Sequence, residues 1–255
     1  MPERQTLVGN QTLLKPLAAR RPTDVPGVVT ALRELRDVAD GLAGTGDRHR
    51  DGIACFSDLY LTITQDVLAE YERGALFHCG EFILQLDVAF ARRYLVALDD
   101  HLHARPTAPG CWDVLFDRRQ DDHEEWQFSV VGVNAHVNFD LAFALLDVWE
   151  DNPTPLATTS AQYADYEAIN TIFRNNMDAL CEENEVPWTK WGPDGGIVDG
   201  LGNFVGNILV SGTRDVAWTF AELMWARRHA DPHHYRVAPT AALDSLATGV
   251  AELFL

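Results

Sequence analysis

Apolar residues recur along this chain at spacings of three and four rather than two, the pattern of helices and not of strands. Val28, Leu32, Leu35, Val38 and Leu42 mark a first helix, with Thr23 or Asp24 as its N-cap and Pro26 in its first turn. Ile53, Phe56, Tyr60, Ile63, Val67 and Tyr71 mark a second over 53–72, stopped by Gly74. Phe82, Leu86, Phe90, Tyr94 and Leu98 mark a third over 81–101, and 111–116 reads as a short amphipathic helix. Further helices are predicted over 160–183, over the glycine-containing stretch 197–209, over 214–228 with Thr213 as cap, and over 239–255. Residues 1–22, with Pro2, Pro16 and Pro22, read as an irregular arm. Residues 23–255 read as one all-α domain of seven to nine helices packed around a buried central helix at about 123–150.

That central helix is the informative stretch. From Glu125 to Trp149 it is apolar nearly all round, which is the pattern of a buried helix. Four polar residues interrupt it: Asn134, His136, Asn138 and Asp140. At ~100° per residue, Asn134 and Asn138 share one side and His136 and Asp140 roughly the opposite one. Asp121 or Asp122, with an acidic residue three positions on, has the spacing of a capping box at its start.

Composition narrows the function. With 255 residues, 47% of them hydrophobic, the chain can bury a sizeable core. A net charge of −18 and a pI near 4.7 disfavour phosphate backbones and anionic lipid, so neither nucleic acid nor a membrane surface is an expected partner. No uninterrupted apolar run reaches the ~18 residues of a membrane span, and no signal peptide is legible. Cys55, Cys79, Cys111 and Cys181 are scattered without a Cys-x-x-Cys pair, which suits reduced thiols and a cytoplasmic location. The sequence leaves the oligomeric state open, a homodimer included.

The pair His136 and Asp140 admits three readings. Asp140 orients His136, which works as a general acid or base in an apolar pocket. Alternatively, both are ligands of a divalent metal such as zinc, completed by His78, Asp87, His101, His103 or Glu222. In the third reading they form a hydrogen-bonded core contact that only fixes packing. Asn134 and Asn138 are candidates to position substrate oxygen atoms. Tyr60, Asp87 and Arg214, polar residues on other apolar helices, are further substrate-binding candidates, Arg214 as a cation drawn towards Asp140. Trp188 and Trp191, in a Pro/Gly-rich loop, are candidates to lid a pocket. The near-fingerprint around Gly200, Gly202 and Gly206 follows no strand and has the wrong spacing for a dinucleotide site.

Four segments carry a family resemblance: 51–64, 86–98, Gly132-Val-Asn-Ala-His-Val-Asn-Phe-Asp-Leu141 and Arg214-Asp-Val-Ala-Trp218. They resemble, in the same order, a bacterial family known only as a domain of unknown function, number 5995. The Asn-Ala-His-x-x-x-Asp-Leu block is the most specific part. The resemblance implies a helical, soluble, mainly actinobacterial protein, and places Asn134, His136, Asp140, Tyr60, Asp87 and Arg214 in the family's motifs. It implies no reaction. The chain departs from the family pattern at Ser57, where Asn is expected, and around Phe77–Gly80. The expected function is therefore a small-molecule enzyme, by analogy with specialised metabolism, performing cofactor-independent cyclisation, elimination or hydrolysis of a largely apolar metabolite. A metal-dependent hydrolase and a non-catalytic small-molecule binding protein are the alternatives.

Overall fold

The computed structural model describes residues 12–43, 50–152, 157–184 and 212–255. The described residues are all-α. After a short helix α1 at 12–18 come α2 (Val25–Leu42), α3 (Gly52–Arg73), α4 (Gly80–Leu102), α5 (Gly110–Arg118) and α6 (Glu125–Ala135). A π turn (His136–Asp140) leads directly into α7 (Leu141–Asp151). Then follow α8 (Ala161–Glu183), α9 (Gly212–Arg227) and α10 (Val237–Ala251).

Local chemistry sets the helix ends. Asp24 caps α2, its carboxylate accepting from the Gly27 amide at 2.7 Å. Gly74 closes α3 in the left-handed conformation at φ 67°. Ser160 caps α8 by accepting from the Tyr163 amide. The cap of α6 differs from the sequence expectation: Glu124, not Asp121 or Asp122, is the N-cap, and it exchanges a capping box with Gln127. The N-terminal arm differs as well. Residues 12–18 are helical, because Leu14, Leu17 and Ala18 bury their side chains in the core. The loop with Trp188 and Trp191 and the stretch 197–209 lie outside the described residues.

The central helix runs unbroken from Glu125 to Asp151 through α6, the π turn and α7. By length and composition it could cross a membrane, although His136 and Asp140 interrupt its apolar run. It is instead almost wholly buried, with α3 and α4 on one side and α9 and α10 on others. Its close fit to α3 depends on Gly132: a Cβ there would overlap the Phe56 ring. Phe56, Tyr94, Trp112, Phe128, Phe143 and Trp149 are among the largest side chains of the core that surrounds it.

Candidate functional site

The π turn coincides with the polar pair. Within it the Leu141 amide bonds to the His136 carbonyl, five residues back, so the helix widens by one residue at this point. The two polar pairs do face opposite ways. On one side, Asn134 donates its side-chain amide to the Ala247 carbonyl of α10 at 2.7 Å, and Asn138 donates to the Asn134 side-chain oxygen at 2.9 Å. These bonds tie the central helix to α10 and leave neither residue on the cavity described below.

On the other side lies a partly open cavity of about 60 Å³. α3 contributes Phe56, Tyr60, Ile63 and Val67 to its wall, α4 contributes Ile83, Leu86, Asp87 and Phe90, and the central helix contributes Val133, His136, Val137 and Leu141. Ile169 and Phe173 of α8 and Arg214 of α9 also line it. Among the described residues the wall is apolar except for four side chains: Tyr60, Asp87, His136 and Arg214. Each of the four has a buried polar atom without a hydrogen-bond partner: Tyr60 Oη, Asp87 Oδ2, His136 Nε2 and Arg214 Nε.

His136 is fixed from several directions. Its Nδ1 lies 3.1 Å from Asp140 Oδ2. The carboxylate is an acceptor, so Nδ1 carries the proton and Nε2 keeps its lone pair. Phe90 stacks flat on the imidazole at 3.3 Å between centroids, and Tyr60 meets it edge-on at 4.7 Å. Asp140 is held in turn. Trp112 of α5 donates its indole N–H to Oδ2 at 2.9 Å, and the Arg93 guanidinium of α4 sits 3.4 Å from Oδ1. Arg93 also reaches Asp147 at 3.1 Å, and Arg236 reaches Asp147 at 2.7 Å, so a chain of alternating charges runs from the half-buried surface inward to His136.

Burial sets the protonation states. It pulls the His136 imidazole below its ordinary value, against the raising effect of Asp140, and the Arg93 charge pulls the same way as burial. Burial lifts the Asp87 carboxyl to about 7, with only the Thr64 hydroxyl acting to lower it. It pushes the Tyr60 phenol well above its usual range, so that side chain is a proton donor and not a phenolate. At neutral pH the cavity thus holds a neutral imidazole oriented by a carboxylate, a carboxyl that is half protonated, and a phenol.

The cavity brings together four of the residues singled out from sequence, Tyr60, Asp87, His136 and Arg214, with Asp140 directly behind His136. Arg214 is not the cation beside Asp140. It donates to the Tyr166 carbonyl at 3.1 Å and lies over the Tyr166 ring, and Arg93 takes the place beside Asp140. Sequence reasoning missed Arg93, Phe90 and Trp112. Arg92 and Arg93 interrupt the apolar run 88–98 of α4, but their spacing does not say which of them meets the central helix. Arg92 bonds outward to the Pro22 carbonyl. Of the further donors a metal would need, Asp87 shares the cavity with His136, whereas His78, His101, His103 and Glu222 do not line it; His101 is bonded to Asp113 and His103 to Asp99. Among the described residues no three His, Cys, Asp or Glu side chains come together in a metal-binding group.

No curated protein and no solved structure is significantly similar to this chain. A family model does match, over residues 25–255, with the description "Family of unknown function (DUF5995)". That match spans nearly the whole chain, includes every residue of the cavity, and shows that the protein belongs to the DUF5995 family.

Proposed function

We propose that this protein is an enzyme that performs acid–base chemistry on a small, largely apolar molecule held in the cavity, with no redox cofactor. The observation that carries the reading is the set of four lining residues with unpartnered buried polar atoms. Each such atom costs about 1–3 kcal/mol if nothing ever pairs with it. A purely structural pair would resemble Asn134 and Asn138, whose amides are spent on protein acceptors. His136 instead spends one nitrogen on Asp140 and leaves the other free.

In this reading His136 Nε2 takes a proton from the substrate, and Asp140 stabilises the imidazolium that forms. Asp87, which exchanges its proton near neutrality, returns a proton to the substrate or to the departing group, and Tyr60 donates a hydrogen bond to oxygen. An elimination, a cyclisation or a hydrolysis each needs one proton removed and one delivered. The metal-dependent alternative has less support, because His78, His101, His103 and Glu222 do not line the cavity and only Asp87 joins His136 there.

The test is proton exchange. Small metabolites are screened for binding, and each binder is incubated in D2O with wild type, His136→Gln and Asp140→Asn. The expected outcome is turnover, or deuterium incorporation at one carbon, in wild type, reduced by about two orders of magnitude or more in His136→Gln. A wild type that binds ligands in the cavity but neither converts nor exchanges them would make this a binding protein.

A further inference from the structure

Arg214 is more than nine-tenths buried, yet no carboxylate lies within ion-pair distance of it among the described residues. Among the described residues, its guanidinium donates to the Tyr166 carbonyl and lies over the face of the Tyr166 ring. Both are partial charges at best, and a guanidinium removed from water calls for a full negative charge. Glu167 feels the Arg214 charge from further away, but no ion pair forms between them. Arg214 Nε has no acceptor, and the residue forms part of the cavity wall.

The other charged groups of the cavity do not supply the anion. Asp87 Oδ2 and Arg214 Nε both lack a partner, so these two atoms do not pair with one another. Tyr60, Asp87, His136 and Arg214 share a wall that apolar side chains such as Ile169, Phe173 and Val137 otherwise form among the described residues.

From this we infer that the ligand is a carboxylate with an apolar chain: its carboxylate seats on Arg214, its chain lies along the apolar wall, and its reacting end meets His136. The inference rests on the reading of the cavity as a small-molecule site, but not on that site being catalytic. Planar, two-pronged recognition by a guanidinium favours a carboxylate. The cavity is small, at about 60 Å³, which points first to short chains.

The experiment compares acetate, butanoate and hexanoate with their uncharged amides, by calorimetry and by the NMR signal of the Arg214 side-chain N–H. At least one carboxylate is expected to bind about tenfold or more tightly than its amide and to shift that signal. Arg214→Gln is expected to abolish the difference, Arg214→Lys to keep part of it, and Asn138→Ala, off the cavity, to keep it whole. If Arg214→Gln fails to fold, the wild-type signal decides alone. Carboxylates that bind no better than their amides, or that leave the Arg214 signal in place, overturn the inference. Carboxylate binding without proton exchange would leave it standing and remove only the catalytic reading.

Discussion

The His136 imidazole lies flat on the Phe90 ring, with centroids 3.3 Å apart and planes 6° from parallel. Phe90 covers one face of the imidazole completely, so the ring can neither turn nor be solvated from that side. Phe90→Ala should cost about 3–5 kcal/mol of stability. It should also raise the His136 pKa, since water admitted to that face relieves the burial that depresses it. Chemical denaturation and an NMR titration of the His136 ring would read both. An unchanged titration would mean that Phe90 packs against His136 without controlling its solvation.

Asp87 and His136 make stability depend on pH with opposite signs. The Asp87 carboxyl titrates near 4 in an unfolded chain and at about 7 here, so between those values the folded chain holds the extra proton. Its contribution is fully present below the lower value and is lost as pH rises through 7, by up to roughly 4 kcal/mol. His136 is depressed below about 6.5, so its contribution is complete above that value and declines as pH falls below it. Asp87→Asn should therefore gain stability relative to wild type on going from pH 5 to pH 8. Urea midpoints at the two pH values test this, and parallel wild-type and mutant profiles would refute it.

Arg93 acts on His136 through space and through Asp140. Its charge lowers the imidazole pKa, and its guanidinium holds Asp140 Oδ1 at 3.4 Å. Arg93→Met keeps most of the side-chain volume and removes the charge. The His136 titration should then move upward, because a nearby cation no longer disfavours protonation. Stability should fall by about 3–5 kcal/mol, since Asp140 is 1% exposed and loses its charged partner. A downward shift would mean that Arg93 acts mainly by holding Asp140 in place.

Asn134 tests whether the two faces of the central helix are independent. Asn134→Ala removes the bond to the Ala247 carbonyl and takes the acceptor away from the Asn138 amide, at a cost of about 1–3 kcal/mol. Ligand binding in the cavity should be unchanged, because neither Asn134 nor Asn138 lines it. Loss of binding in a variant with normal far-UV circular dichroism would couple the two faces after all.

The helices from α2 onward that the structure describes were legible in the sequence because their apolar spacing is a local property, whereas α1 was not; the opposition of the two polar pairs was legible too, since it follows from helix geometry. The roles of the pairs were not. Asn134 became structural because the carbonyl of Ala247, 113 positions along, is packed against it, and no local pattern encodes that. Arg93 was hidden for the same reason: consecutive arginines on α4 look alike until neighbouring helices show that one meets Asp140 and the other the Pro22 carbonyl. The π turn was equally invisible, since its single five-residue hydrogen bond leaves no mark on the apolar spacing.

Gly132 is the residue whose small size holds this arrangement together. A Cβ there would overlap the Phe56 ring, and Phe56 sits edge-on to His136 at 5.7 Å and to Tyr94 at 4.9 Å. Gly132→Ala would ordinarily favour a helix by up to about 1 kcal/mol. Here the ring cannot retreat, because Phe56 is itself fully packed among Tyr60, Tyr94 and Trp112. Overpacking should outweigh the helix preference and give a net loss of about 1–3 kcal/mol. It should also displace His136 and weaken carboxylate binding. The double variant Gly132→Ala with Phe56→Leu, which makes room for the added methyl, should recover stability relative to Gly132→Ala alone. Thermal denaturation of the two single variants and the double variant decides the matter: simple additivity would show that Gly132 and Phe56 do not interact, and that the close approach of α3 to the central helix has another cause.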